Sequence, residues 1–196
     1  MADPLALAKI GPNADLQKAD LQNADLQNAN LSGADLRGAN LHGAKLNGAD
    51  LRDAKLNGAD LGSAKLDGAN LSSANLSKAN LHLAYLQHTN LQNANLQNAN
   101  LGDAYLPSAD LRQAELRSAN LSQAELPNAD LRCADLRDAN LSKTDFTSAD
   151  LSYADLRGTN LEDADLDRTE LRCAKANSST KWPNGFNRSG NALIIE

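Results

Sequence analysis

Ala14-Asp15-Leu16-Gln17-Lys18-Ala19-Asp20-Leu21-Gln22-Asn23 reads as one five-residue phrase written twice, and the phrase recurs without a break to Thr169-Glu170-Leu171-Arg172-Cys173. Ala or Thr stands at every fifth position from Ala14 to Ala174, Thr only at 89, 144, 159 and 169. Leu follows two residues later from Leu16 to Leu171, with Phe146 the one exception. Thirty-two units of the form Ala-(Asp/Asn)-Leu-x-x therefore run from Ala14 to Cys173 with no insertion or deletion. Such phase-locking requires each unit to meet the next in the same way.

Ala and Leu are strong helix formers, but a step of five residues at about 100° each rotates by about 500°, a net of about 140°. A helix would scatter the leucines around its surface and leave no buried stripe. In an extended segment, Ala and the Leu two residues on point to the same side. A continuous strand fails in turn, because five is odd and every second unit would face outward. The chain must turn after each three-residue strand, always in the same sense, and so closes into a polygonal coil that stacks on itself. The period predicts an all-β solenoid against the local propensity.

Ala14-Asp15-Leu16-Gln17-Lys18, Ala34-Asp35-Leu36-Arg37-Gly38 and the other thirty units resemble the pentapeptide-repeat family, over roughly four-fifths of the chain. The resemblance implies a right-handed quadrilateral parallel β-helix with four pentapeptides per coil, about eight coils, the Ala and Leu positions inward and the other three outward. Tyr85 and Tyr105, Pro107 and Pro127, and Lys45 and Lys65 each recur twenty apart, in keeping with that coil. Eight coils at ~4.8 Å spacing would make a rod of ~38 Å. Leu86, Leu106 and Phe146 belong to its core.

Composition fits this reading. The 196 residues carry a net charge of −6, no Val, and Ile only at 10, 194 and 195. The organisation expected is an N-terminal cap over 1–13, the repeat body over 14–173, and a C-terminal cap and tail over 174–196. Leu5, Leu7 and Ile10, after Pro4, are candidates to cover the first coil. Trp182 and Phe186, in a segment similar to the closing segment of some cyanobacterial members of the family, are candidates to cover the last. The tail Leu193-Ile194-Ile195-Glu196 could pack back or pair with a second copy, giving a homodimer through the C-terminal end. The N-terminus lacks a basic, continuous apolar leader, no stretch is long and apolar enough for a membrane, and the two cysteines read as free thiols of a reducing compartment. The expected location is the cytoplasm.

The outward residues offer little chemistry. His42 and His82 lie on one track but two coils apart, ~10 Å by strand spacing, too far to share a metal held at ~2 Å. Cys133 and Cys173 are separated in the same way and should not form a disulfide. His88 stands alone, and the glycines fall in turn slots of the repeat. Neither a catalytic residue, a metal nor a cofactor is expected. The Arg residues at 37, 52, 112, 117, 132, 137, 157 and 172 fall on two adjacent faces. Asp110, Asp130, Asp135 and Asp155 precede four of them by two residues, which predicts mutual charge balancing on solvated faces.

A third face reads Lys45, Lys65, Tyr85, Tyr105, Glu125, Asp145 and Asp165 from the N- to the C-terminal end, with Pro107 and Pro127 beside the tyrosines. Exposed Tyr and Pro between opposite charges make a candidate surface for docking another protein. The competing expectation is that stacked Tyr and Asn side chains serve only coil-to-coil stability. The function expected is a non-enzymatic scaffold or protein-interaction module. The alternative comes from the resemblance: some members of the family mimic duplex DNA, bind DNA gyrase and protect it from quinolones. Direct nucleic-acid binding is not expected of an acidic chain with so few outward aromatics.

Overall fold

The computed structural model describes residues 3–187 and 193–195. Of the two expected caps, Met1, Ala2, 188–192 and Glu196 lie outside the described residues. No helix among the described residues is long and apolar enough to cross a membrane.

The second residue of each unit pairs in parallel with the residue twenty further on, as in Tyr85 with Tyr105 and Asn80 with Asn100. Four ladders result, beginning at Asp15, Asp20, Asp25 and Asn30. The expected three-residue strands shrink to one paired residue per unit, because the turn claims the remaining positions. Continuous two-residue pairing occurs among the described residues only where the tail returns, between β1 (Lys175–Ala176) and β2 (Ile194–Ile195).

Each unit is joined to its neighbours in the stack by repeated backbone bonds. In the middle of the rod, Leu86 N–H donates to Tyr105 O at 2.7 Å, Tyr105 N–H to Ala84 O at 2.9 Å, and His88 N–H to Pro107 O at 3.1 Å. A fourth bond closes the corner, where Ala84 N–H donates to Leu81 O at 3.0 Å. In a type II turn closed by that bond, the third residue adopts positive φ. The fifth residue of the unit does so even where it is not glycine, with φ from 54° to 62°.

One backbone donor per unit remains, and the Asp or Asn of the second position supplies its acceptor. Asn100 Oδ1 accepts from Gly102 N–H at 3.2 Å, and Asp130 Oδ1 from Arg132 N–H at 3.2 Å. These are Asx turns, and they explain why the second position is so often Asp or Asn. Tyr105 and Glu125 have no such oxygen. The residues two further on are Pro107 and Pro127, which have no N–H to satisfy. Where Tyr85 fills the slot, Gln87 N–H donates to Asp67 Oδ1 at 3.0 Å instead.

The interior is an Ala and Leu stack. From Leu31 to Leu161 every repeat leucine, and Phe146, is 0 % exposed. Burying each such side chain contributes about 1.5–3 kcal/mol. Thr replaces Ala where its hydroxyl finds a carbonyl of the stack: Thr89 Oγ1 donates to Leu66 O at 2.9 Å and Thr144 Oγ1 to Leu121 O at 2.8 Å.

The N-terminal end departs from expectation. Helix α1 (Pro4–Leu7) is capped by Asp3, whose side chain accepts from Leu5 N–H at 2.9 Å. Leu5 is 75 % exposed and Leu7 39 %, whereas Ala6 is buried and Ile10 packs against the core. Adjacent residues of a helix lie about 100° apart, so the face that seats Ala6 turns both leucines away.

At the other end Trp182 and Phe186 stack in parallel, 4.8 Å between ring centres and 7° apart, and both pack on the core with Leu193. The ladders continue past Cys173: Asp155 pairs with Lys175, and Asn160 with Lys181, one residue beyond the usual twenty. The tail is committed to its own chain, with Ile194 N–H donating to Ala174 O at 2.9 Å.

Candidate functional site

The ladder that begins at Asp25 carries the sequence-derived candidates in register. Lys45, Lys65, Tyr85, Tyr105, Glu125, Asp145 and Asp165 succeed one another at one residue per coil. Tyr85 is 49 % and Tyr105 37 % exposed, and their rings meet edge to face with centroids 6.4 Å apart. Lys45 and Lys65 are exposed, and Lys45 Nζ lies 3.4 Å from Asp25 Oδ2. Pro127 is exposed but Pro107 is buried. The expectation of a docking surface that includes Pro107 is corrected accordingly: that ring fills a corner and forgoes a hydrogen bond rather than meeting solvent.

Leu83 joins this face and was not legible as part of it. It sits in the left-handed corner position with φ 59° and is 49 % exposed. With Tyr85, Asp103, Tyr105 and Glu125 it lines a groove of about 280 Å³. The only signal in the sequence was an aliphatic residue in a slot otherwise given mostly to Gly and polar residues. Tyr153 was missed for the same reason; it is half exposed, with the Arg172 guanidinium 5.4 Å over its ring.

The arginine faces are balanced as expected. Arg132 grips Asp130 with two bonds, Nε to Oδ1 at 2.8 Å and Nη2 to Oδ2 at 2.6 Å, and its Nε lies 3.6 Å from Asp150 Oδ2 in the next coil. Arg112 is placed likewise between Asp110 and Asp130. At Asp130 partial burial pushes the carboxyl up, but the Arg132 side chain and backbone N–H outweigh it and hold the group below its usual range. At Asp135 the Arg137 side chain is the leading cause of the same lowering.

A carboxyl lowered by folding stabilises the protein above the ordinary Asp value of about 3.9 and loses that contribution as pH falls through the lower folded value. These side chains are partly exposed, so each pair is worth roughly 0–1 kcal/mol. The melting temperature should stay level down to about pH 4 and then fall. Asp130→Asn should flatten that acid limb, an outcome to be read by circular dichroism across the pH range.

A different ladder is held by amides. Asn100 Nδ2 donates to Asn80 Oδ1 at 3.2 Å, Asn120 Nδ2 to Asn100 Oδ1 at 2.9 Å, and Asn140 Nδ2 to Asn120 Oδ1 at 3.1 Å. His42 and His82 flank it. His82 Nδ1 lies 2.7 Å from Gly102 O. A Cβ added at Gly62 would stand 2.8 Å from His42 Nδ1, so glycine there accommodates the imidazole of the preceding coil. Among the described residues no cluster of three or more His, Cys, Asp or Glu is arranged to hold a metal. Cys133 and Cys173 are free thiols.

The Pentapeptide repeats model matches this chain in eight copies, over segments running from 14–53 to 144–179. This chain belongs to the pentapeptide-repeat family. Among solved pentapeptide-repeat structures it is similar to HetL of the cyanobacterium Nostoc sp. strain PCC 7120, a protein involved in heterocyst differentiation regulation. The two are 37 % identical over 80 % of this chain and 76 % of that one, with a TM-score of 0.44. It is similar also to the pentapeptide-repeat protein alr5209 of Nostoc PCC 7120, 32 % identical over 52 % of this chain and 84 % of that one, TM-score 0.42. Full-length QnrB1, a plasmid-mediated fluoroquinolone resistance protein, is 15 % identical over 93 % of this chain and 91 % of that one, TM-score 0.48. A comparison with curated protein sequences finds no match.

Proposed function

We propose that this pentapeptide-repeat protein is a non-enzymatic scaffold: a right-handed, four-sided β-helix that offers the Tyr85/Tyr105 face to another protein. The observation that carries the reading is the contrast between faces. On the arginine and asparagine sides, polar groups are matched to partners within the stack. On the tyrosine face two aromatic rings and Leu83 stand roughly half exposed around a groove. Exposed aromatic clusters with polar rims are characteristic of protein contacts.

The gyrase alternative gains nothing from the geometry. Mimicry of duplex DNA calls for sustained negative charge, whereas Asp110, Asp130, Asp135 and Asp155 are each gripped by an arginine two residues on. A pull-down with the intact protein tests the preferred reading. Tyr85→Ser combined with Tyr105→Ser should abolish capture of the specific partner while the circular dichroism spectrum stays that of the wild type. Retention of every partner would remove this face from consideration.

A further inference from the structure

The charges of the tyrosine face are arranged unlike those of the arginine faces. There Arg37, Arg52, Arg112, Arg132, Arg137 and Arg157 each hold the aspartate two residues before them. Here, apart from the contact of Lys45 with Asp25 at the N-terminal end, the charges are segregated, Lys45 and Lys65 on one side of the tyrosines, Glu125 and Asp145 on the other. Lys65 and Glu125 are exposed, and neither enters an ion pair among the described residues. Such a pattern is antisymmetric about the midpoint between Tyr85 and Tyr105. A two-fold axis lying in the plane of contact, perpendicular to the rod and level with that midpoint, sets Tyr85 of one chain against Tyr105 of a second, Lys65 against Glu125, and Lys45 against Asp145. Isologous contacts of this kind, in which residue i meets j and j meets i, are the commonest way for identical chains to associate.

We propose that this face is the contact of an antiparallel homodimer, the partner of its groove being a second copy of the chain. The proposal rests on the reading of this face as an interface and names its occupant. Complementary potential across a contact guides register as well as encounter, and here it fixes both the antiparallel sense and the coil that faces each coil. The apolar centre agrees: Leu83 holds a left-handed backbone, uncommon for a bulky side chain, and still leaves half its surface uncovered in the single chain. The C-terminal tail does not compete as a pairing element, since it is bonded to Ala174 of its own last coil. The outermost pair under the same axis, Asp25 and Asp165, are both acidic, which ends the complementary stretch at Lys45 and Asp145. Five coil steps of ~4.8 Å give a contact of ~24 Å in length and one unit in width. This belongs with the smallest, weakest protein interfaces, and its association is sensitive to salt.

Sedimentation velocity over a concentration series, at about 20 mM and about 500 mM salt, reads the equilibrium directly. The wild type should dimerise at low salt and dissociate at high salt. Lys65→Glu alone and Glu125→Lys alone should each weaken association at least about tenfold, since each places like charges opposite one another twice. An equimolar mixture of the two variants should restore the dimer, because the reversed position 65 of one chain then faces the reversed position 125 of the other. A wild type that stays monomeric at low salt, a dimer indifferent to both reversals, or a mixture that fails to recover would each overturn the proposal. Circular dichroism of both variants shows that they fold. A monomeric wild type that still loses a different protein on the double tyrosine substitution would refute self-association alone. A dimer that obeys the charge exchange, with every other partner retained by the tyrosine variant, would leave self-association as the use of this face.

Discussion

Leu86→Asp is expected to destroy the middle of the rod. Leu86 is 0 % exposed and in register with Leu66 and Leu106 of the adjoining coils, as the pairing of Tyr85 with Lys65 and Tyr105 shows. The new carboxylate would have neither water nor a cation at hand, and burial of an unpaired charge is so unfavourable that the group either takes up a proton or leaves the core. In a stack where each coil touches only its neighbours, stability is a sum of local and nearest-neighbour contributions. The break should therefore appear first as protease sensitivity near position 86, together with loss of circular dichroism signal. Leu106→Ala is the milder version, at about 2–5 kcal/mol. A wild-type urea midpoint for Leu86→Asp would be incompatible with the fold described.

Phe146→Ala carries the second large effect. Phe146 is the largest fully buried side chain, and removing its ring leaves a void that the rigid corners on either side cannot close. The expected cost is about 3–5 kcal/mol. Phe146→Leu restores the residue of the other units and should cost less than about 1.5 kcal/mol if the slot adjusts as it does for core exchanges that preserve shape. Urea denaturation of both variants gives the comparison. Equal losses for Ala and Leu would mean that an aromatic ring is required at this level of the stack and that the leucine slots are not interchangeable.

The inward half of this protein was readable because it obeys one rule. A period of five can hide Ala and Leu only if the chain turns every five residues, and Leu16 to Leu171 record that constraint. The twenty-residue coil was visible in Tyr85 with Tyr105 and Lys45 with Lys65, which are indeed paired. The chemistry of the second position was displayed but not decoded. Asp and Asn are there to accept a backbone hydrogen bond, and the clue was Pro107 and Pro127, which occur where Tyr105 and Glu125 cannot provide one. Taking Pro107 as part of a docking surface confused a corner requirement with an exposed feature, whereas Pro127 meets the same requirement and is exposed.

Leu5 and Leu7 of the N-terminal segment were misjudged for a different physical reason, while Ile10 does pack on the core. Four residues of helix make barely one turn, too few for the pattern of apolar residues to reveal which side faces inward. Leu5 and Leu7 looked like core by type alone, and the smaller Ala6 was seated instead. Leu83 and Tyr153 escaped notice because they occupy the corner position, whose residues do not share the alternation that marks a ladder. Side-chain exposure at a corner depends on neighbours twenty residues away.

Asn160 pairs with Lys181 instead of residue 180, so the last coil is longer than the others by one residue. A slip of one residue leaves the earlier ladders untouched but puts whatever follows out of phase with the template below. A second rod arriving at this end would find no surface on which its own twenty-residue rhythm could continue. One extra residue in the last coil thus breaks, at this end, the register on which the rest of the stack is built.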